Sequence, residues 1–165
     1  MSIREATPTD GAGLASIYNP YIRDTVITFE EEEVSAADMA ARVAEVRGAG
    51  FPWLVAEASD GSLDGYAYAT TWRTRASYRY SVEVTVYIRP RAHRRGVATA
   101  LYRPLFARLQ NLGFHALIAG ISLPNEASVA LHEKLGMRKV AHFPDVGWKL
   151  GRWVDVGYWQ LLLDR

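Results

Sequence analysis

Residues 80–102, YSVEVTVYIRPRAHRRGVATALY, place a carboxylate inside a run of β-branched residues. Such a run predicts a strand, and side chains alternate across a strand, so Glu83 shares one face with Ser81, Thr85 and Tyr87 while aliphatic residues share the other. A polar face in the middle of a sheet indicates a cleft. The same alternation fits an antiparallel strand with one face in water, and periodicity alone leaves both interpretations open.

The strand leads into a loop with four arginines and a histidine in residues 89–95, followed by Gly96 and the small residues Ala98 and Thr99. A helix is predicted to begin there. Its first turn would offer unpaired N–H groups at the positive end of the helix dipole, and glycine would let a phosphate approach the backbone. The segment therefore predicts an anion site, with a solvated surface loop as the alternative. It matches neither a Walker loop nor a dinucleotide-binding fingerprint.

The elements that must position these residues alternate in period along the chain. Strands are predicted at SIREAT, VITFEEE, PWLVAEA, GYAYATTW, residues 80–88, FHALIAGIS and two tail segments around KLGRW. Helices are predicted after Thr9 or Asp10, after Ser35, over residues 97–112 and in NEASVALHEKLG, which Asn125 caps. Prolines at positions 20 and 104 are expected to kink, bend or end their helices. The result is a mixed α/β sheet covered by helices.

Composition limits the function classes. The 165 residues, 49% of them hydrophobic and 22% charged, suit one globular domain spanning 1–165. A net charge of +1 supplies no overall field for nucleic acid or an anionic membrane, and no stretch approaches about 18 apolar residues. The chain has no cysteine, and His93, His115 and His142 show no metal-ligand spacing. We expect a cytoplasmic protein that uses no metal and binds neither nucleic acid nor membrane.

Two motifs agree in order with a known family. VEVTVYIRPRAHRRGVATALY followed by ISLPNEASVALHEKLGM resembles the acetyl-CoA-binding core of the GCN5-related N-acetyltransferases (GNAT), and RWVDVGYWQ at residues 152–160 adds similarity to their phosphinothricin-type branch. The resemblance covers nearly the whole chain. It implies an α/β (α+β) fold whose mixed, mostly antiparallel sheet is splayed at the acetyl-CoA strand. It also implies acetyl-CoA as co-substrate and a homodimer.

The resemblance assigns catalytic roles. An ammonium ion cannot attack a thioester, so the amine needs a base, and Glu83 matches the motif glutamate. A backbone N–H within residues 84–87 would bind the thioester oxygen. His132 stands where the phosphinothricin branch has histidine, and it would protonate the departing thiolate or assist the base. A structural histidine packed on a short helix is the alternative.

Binding residues follow from the same resemblance. Cofactor contacts are implied at Val84, Val86, Tyr87, Ile88, His93, Arg94, Arg95, Gly96, Val97, Ala98, Thr99, Asn125 and Ser128. His93 stands where the superfamily commonly has Gln or Arg. The acceptor is expected to meet Phe29, Arg75, Tyr78 and Thr85, since a planar guanidinium suits a carboxylate or phosphinate. The resemblance also places Lys149, Trp153 and Tyr158 in a late hairpin with which relatives close the site, across a dimer or against the acceptor. For Trp153 and Tyr158, ordinary hairpin packing is the favoured interpretation.

These assignments predict direct acetyl transfer, in a ternary complex, to the amine of a small amino-acid-like acceptor such as phosphinothricin or methionine sulfoximine. One alternative is acetylation of another amine, such as a different amino acid, a polyamine or a protein N-terminus. Another is an acyl-CoA-binding sensor without turnover. Nucleic-acid binding by RPRAHRR is disfavoured by the near-neutral net charge.

Overall fold

The computed structural model describes residues 1–164, in which seven strands form one sheet. The strands are β1 (Ser2–Glu5), β2 (Trp53–Glu57), β3 (Leu63–Thr71), β4 (Ser81–Ile88), β5 (Ala116–Leu123), β6 (Arg138–Lys149) and β7 (Arg152–Leu162). The helices are α1 (Gly11–Asp24), α2 (Ala36–Gly48), α3 (Val97–Asn111) and α4 (Glu126–Lys134). Short 3-10 turns occupy Pro8–Asp10, Ala76–Tyr78 and Pro90–Ala92.

The sheet is mixed but mostly antiparallel. Its strand order is β1-β2-β3-β4-β5-β7-β6, and the single parallel pair among the described strands is β4 with β5. The helix α3 makes the crossover between those two strands, as a parallel connection requires. The α/β fold with a mixed, mostly antiparallel sheet is thereby confirmed.

Helices bury both faces of the sheet. On one face, Leu54 of β2 and Val82 of β4 pack with the α3 row Val97, Leu101, Leu105 and Leu109, all of which are at most 3% exposed. On the other face, residues from α1 and α2 pack against the alternate positions of β2 and β3: Leu14, Ile17, Ile22, Met39, Val43, Trp53, Val55 and Tyr66. Because both faces of β2 are covered, its sequence is apolar without alternation.

Local signals set several helix ends as predicted. Ser35 and Asp38 form a capping box at the start of α2: the Asp38 N–H donates to Ser35 Oγ at 3.0 Å, and the Ser35 N–H donates to Asp38 Oδ2 at 2.9 Å. Pro20 does not end α1, which continues to Asp24, because buried residues on both sides of the proline hold the helix against the sheet. Pro104 likewise lies inside α3.

One predicted strand is wrong. VITFEEE lies in residues 25–35, which contain neither strand nor helix. Side chains provide the backbone partners that a neighbouring strand would supply: Thr25 Oγ1 accepts from the Ile27 N–H at 3.1 Å, and Thr28 Oγ1 accepts from the Glu30 N–H at 3.2 Å. Local hydroxyl bonds of this kind compete with a strand ladder, and here they prevail.

Between residues 1 and 164, no helix has the combination of length and apolar character needed to cross a membrane. Over the same residues, no cluster of three or more His, Cys, Asp or Glu side chains is arranged to hold a metal ion.

Candidate active site

Strands β4 and β5 separate part-way along their length. Their parallel pairing ends at Glu83, which lies opposite Ile118, although β4 continues to Ile88 and β5 to Leu123. Beyond Glu83 the two strands leave a gap in the middle of the sheet. The splayed strand that the motif implied is therefore confirmed, and the gap locates the candidate site.

The gap exposes main-chain donors of β4. On the opposite edge of this strand, the N–H of Arg89 donates to the carbonyl of Asp64 at 2.8 Å. The main-chain N–H and C=O groups of the odd-numbered residues therefore point toward β3. Main-chain groups alternate along an antiparallel strand, so the N–H groups of Val84 and Val86 face the gap. Both can therefore donate to a ligand that enters the gap.

Two cavities open into the gap and share part of their walls. The first, of about 260 Å³, is lined by Glu83 and His132. The second, of about 490 Å³, extends to the amino terminus of α3. Ile27, Val86, Tyr87, Asn125 and Ser128 line both cavities. The cavities therefore adjoin, and a ligand anchored at α3 can reach toward Glu83.

Most of the site residues predicted from the sequence lie in these walls. The first cavity is lined by Phe29, Glu83, Val84, Thr85, Val86, Tyr87, Asn125, Ser128 and His132. The second is lined by Val86, Tyr87, Ile88, His93, Arg94, Gly96, Val97, Ala98, Thr99, Asn125 and Ser128. Arg75, Tyr78 and Arg95 are exposed and line neither cavity, so their contacts with ligands stay predictions.

Glu83 is partly buried where β4 and β5 part. Its removal from water raises the pKa of the carboxyl above the ordinary value of 4.5, and the positive charge of Arg73 opposes that rise. A carboxylate with a raised pKa is a stronger proton acceptor than one in water. This environment suits a group that takes a proton from an amine.

His132 is 3% exposed and is fixed by both ring nitrogens. Nδ1 lies 2.7 Å from the Ser128 carbonyl oxygen, and Nε2 lies 3.1 Å from the hydroxyl of Tyr102. A carbonyl oxygen only accepts, so Nδ1 carries the ring proton and Nε2 accepts from the Tyr102 O–H. Burial lowers the pKa of His132, while the Ser128 carbonyl opposes the change, which favours the neutral ring.

The loop before α3 passes through two left-handed residues, Arg94 with φ 61° and Gly96 with φ 76°. Gly96 is the N-cap of α3, and an added Cβ would meet no atom within 4 Å, so its backbone conformation is what requires glycine. Val97, Ala98 and Thr99 then present the unpaired N–H groups of the first turn to the second cavity. Together with Arg94 they make a positive environment that suits a phosphate.

His93 closes the open end of β4. Its Nε2 lies 3.1 Å from the Ile88 carbonyl oxygen and 3.0 Å from the hydroxyl of Tyr21, which itself donates to that carbonyl at 2.5 Å. The imidazole is therefore engaged with the strand.

Asn125 joins the two cavities. Its Oδ1 accepts from the Ser128 N–H at 3.2 Å, which makes it the N-cap of α4, as predicted. With Oδ1 in the cap, the Nδ2 group is the part of the amide that a ligand in either cavity can engage.

Gly120 and Tyr158 form the wall of the first cavity on the β5–β7 side. They are register partners, and a Cβ at position 120 would lie 3.1 Å from the Tyr158 ring. The ring packs edge-on against Trp72 and Phe143, at centroid distances of 5.5 and 5.8 Å. Burial and the charge of Glu83 raise the pKa of Tyr158, so its hydroxyl lies within the field of that carboxylate.

Comparison with known proteins assigns the family. Residues 3–157 match the family model described as the acetyltransferase (GNAT) domain. The chain belongs to the GNAT acetyltransferases. The phosphinothricin N-acetyltransferase of Streptomyces viridochromogenes is 38% identical over 160 residues, which are 97% of this chain and 86% of that protein.

Two further relatives indicate the branch of the GNAT family to which this chain is similar. The L-methionine sulfoximine/L-methionine sulfone acetyltransferase of Salmonella typhimurium is 35% identical over 165 residues, covering 100% of this chain and 96% of that protein. An acetyltransferase from Salmonella typhimurium, solved with its cofactor acetyl-CoA, superposes with a TM-score of 0.94 at 35% identity, covering 99% of this chain and 94% of that one. This GNAT chain is an N-acetyltransferase similar to the phosphinothricin acetyltransferases.

Some residues of the GNAT site were not predicted from the sequence. Tyr102, Gly120 and Tyr158 line the first cavity, and Tyr21 lines the second. Tyr158 was interpreted as hairpin packing, and it does pack there, but it also faces the cavity. The sequence did hold a signal for Tyr102. It follows Leu101, which belongs to the apolar i, i+4 row of α3, so its side chain lies beside that row on the buried face of the helix.

Proposed function

We propose that the enzyme transfers the acetyl group of acetyl-CoA to the amine of a small amino-acid-like acceptor such as phosphinothricin or methionine sulfoximine. One observation carries the proposal: the carboxylate of Glu83 and the Tyr102–His132 pair line a cavity that adjoins the second cavity, which reaches the amino terminus of α3. Relatives from Streptomyces and Salmonella are named for acceptors of this class.

The second cavity fits the diphosphate and pantetheine parts of acetyl-CoA. The N–H groups that begin α3 and the guanidinium of Arg94 would bind the diphosphate, and the amide of Asn125 would meet the pantetheine arm. Acetyl-CoA supplies the acetyl thioester. The N–H groups of Val84 and Val86 would orient it and stabilise negative charge on the thioester oxygen.

Glu83 would be the general base. It takes a proton from the acceptor's ammonium group, directly or through a water molecule, and leaves the amine free to attack the thioester carbon. Because its pKa is raised, Glu83 is a stronger base than an exposed carboxylate would be. The chain has no cysteine that could carry the acetyl group covalently, which supports direct transfer in a ternary complex.

The Tyr102–His132 pair would serve the departing thiolate. The Tyr102 hydroxyl is the hydrogen-bond donor at the cavity wall, and His132 is a fixed neutral acceptor behind it. The Tyr102 O–H would rotate to donate a hydrogen bond to the developing thiolate and would keep its proton, because burial raises the pKa of Tyr102. His132 therefore acts through Tyr102 in this scheme.

The acceptor would occupy the first cavity between Phe29 and Tyr158, with its amine toward Glu83. Thr85 lines the same wall. Arg75 and Tyr78, which lie outside the cavity, would bind the acid end of the acceptor from the adjoining loop.

We also propose that the enzyme is a homodimer that associates through the β6–β7 hairpin. Large apolar side chains on this hairpin are at least half exposed: Val140, Phe143, Val146, Trp148, Leu150, Trp153 and Leu162. Exposed apolar groups concentrated on one element are typical of an association surface. Sedimentation equilibrium should give twice the chain mass of 18.4 kDa, and a single-chain mass would refute the dimer.

The decisive variant for the proposed function is Glu83→Gln. With methionine sulfoximine as acceptor, kcat should fall by roughly 10² to 10⁴, the contribution typical of a general base. The affinity for acetyl-CoA, measured by calorimetry, should stay within about twofold because Glu83 does not line the second cavity. Unchanged kcat at saturating acceptor would remove Glu83 from the mechanism.

A further inference from the structure

Residues 25–35, which we call the acceptor loop, wall the first cavity without belonging to any helix or strand. Three consecutive residues of the loop, Ile27, Thr28 and Phe29, face the cavity. A segment without regular structure is held in place by its side-chain contacts. The position of this wall therefore depends on which residues hold it.

The helices hold one side of the acceptor loop. The Tyr18 hydroxyl and Thr28 Oγ1 are 2.7 Å apart, and Arg42 of α2 forms an ion pair with Glu30 at 2.6 Å. Asn19 closes the end of the loop by bonding both main-chain groups of Val34, at 2.8 and 2.9 Å. All of these contacts come from α1 and α2.

The β6–β7 hairpin holds the other side. Lys149, the last residue of β6, donates from Nζ to the carbonyl oxygen of Thr28 at 2.8 Å, across 121 positions of sequence. Two residues earlier, Gly147 receives the ring of Phe29 so closely that any Cβ there would overlap it. The tip of the hairpin thus contacts Thr28 and Phe29, two of the three loop residues that face the cavity.

Lys149 is unusual because it is 3% exposed. Lysines are among the residues least often fully buried, since burial removes the ammonium from water. Here burial lowers the pKa of Lys149, and the nearby Glu31 and Glu30 oppose the change. The hydrogen bond of this buried amine goes to a main-chain carbonyl, so it fixes the path of the loop backbone.

We propose that Lys149 is a positioning residue for acceptor binding, holding the acceptor loop against the first cavity through the Thr28 carbonyl. The inference rests on the proposed function in one respect, that the first cavity takes the acceptor. Lys149 does not line either cavity and acts through Thr28 and Phe29. Its loss should therefore affect the acceptor and spare acetyl-CoA.

The test uses Lys149→Met, which keeps the length of the side chain and removes the donor. The KM for methionine sulfoximine should rise about tenfold or more, because small displacements of a positioning wall have large effects on productive binding. The KM for acetyl-CoA should stay within about twofold. The matched control is Lys139→Met, since Lys139 lies on the same strand, is exposed and contacts His142 rather than the loop.

A second readout does not depend on activity. Amide hydrogen exchange of the ligand-free protein should be faster in residues 25–35 of Lys149→Met than in the wild type, with α3 unchanged. Faster exchange throughout the protein would show a general structural role and overturn the proposal, as would unchanged exchange in the loop. If methionine sulfoximine proves not to be an acceptor, the exchange result still tests the loop.

Gly147→Ala provides an independent variant in case Lys149→Met does not fold. The added Cβ meets only the outer atoms of the Phe29 ring, and Phe29 is 42% exposed and has room to shift, so the fold should survive. The acceptor KM and the exchange of residues 25–35 should shift in the same direction as in Lys149→Met. A Gly147→Ala enzyme with wild-type values for both would contradict the proposed role of the hairpin tip.

Discussion

The Tyr102 hydroxyl donates to Nε2 of His132 across 3.1 Å, and Nδ1 of the same ring donates to the Ser128 carbonyl at 2.7 Å. The two hydrogen bonds leave the imidazole one tautomer and one orientation. Tyr102 and His132 therefore form one unit at the wall of the first cavity, and their substitutions should not act independently.

Tyr102→Phe and His132→Gln should each lower kcat by about 10², the loss typical of removing one hydrogen-bond donor to developing negative charge. The double variant should be no slower than the worse single variant, because each substitution alone already disables the unit. Single-turnover release of CoA measures this directly. Multiplicative effects of the two substitutions would show that the residues act separately.

The rise of kcat with pH on the acidic side of the pH profile should disappear when Glu83 is replaced. The base must be ionised, so kcat of the wild type rises with pH through the pKa of Glu83, which lies above 4.5. A pH profile at saturating acceptor should therefore show a limb above the ordinary carboxylate range. In Glu83→Gln the residual rate should lack this limb, and a limb retained there would assign it to another group.

Glu83→Gln should also unfold at a higher temperature than the wild type at pH 7. The pKa of Glu83 is raised by folding, so the stability associated with its protonated form is complete below pH 4.5 and is lost as pH rises through the folded-state pKa. Glutamine has no charge to bury. The difference in Tm between variant and wild type should therefore shrink as pH falls toward 4.5, and a difference that grows would contradict the assigned direction.

Gly96→Ala should weaken acetyl-CoA binding by about tenfold, because alanine at φ 76° costs about 1–2 kcal/mol and the loop would shift to relieve it. The matched control is Gly113→Ala at the other end of α3, where φ is 86° and an added Cβ also meets no atom within 4 Å. Both variants should lose similar stability in denaturant titrations. Equal losses of acetyl-CoA affinity in both would argue against a phosphate site at Gly96.

Gly120→Leu should raise the KM for the acceptor by about tenfold or more, since the added side chain fills space beside Tyr158. Acetyl-CoA serves as the internal control because Gly120 does not line the second cavity. Steady-state kinetics with each substrate varied in turn give the KM for the acceptor and the KM for acetyl-CoA separately. A change confined to the acetyl-CoA KM would show that the acceptor binds elsewhere.

The strand, loop and helix that carry the chemistry were predictable from the sequence because their signals are local. The alternation around Glu83 and the i, i+4 row from Val97 to Leu109 depend only on residues a few positions apart. The helices that begin after Ser35 and Asn125 each depend on a capping bond to the residue three positions later. Such patterns predict elements reliably because the neighbours that matter are neighbours in sequence.

The acceptor side was not predictable in the same way. Residues 25–35 alternate like a strand, but contacts with Asn19, Arg42 and Lys149 hold them as a loop. Tyr158 faces the cavity only because β7 pairs with β5 in a register that sets it opposite Gly120. Contacts between residues far apart in sequence decide the position of Tyr158, and they add to the local hydroxyl bonds of Thr25 and Thr28 in holding the loop.

The most direct test of the central claim is release of free CoA from acetyl-CoA, followed with a thiol reagent, in the presence of a panel of amines. The panel contains phosphinothricin, methionine sulfoximine, common amino acids, polyamines and an N-terminal peptide. The chain itself has no thiol to contribute to the signal. We predict release that depends on the two amino-acid analogues and is lost in Glu83→Gln. Calorimetric binding of acetyl-CoA without release for any amine would contradict the account and favour a sensor.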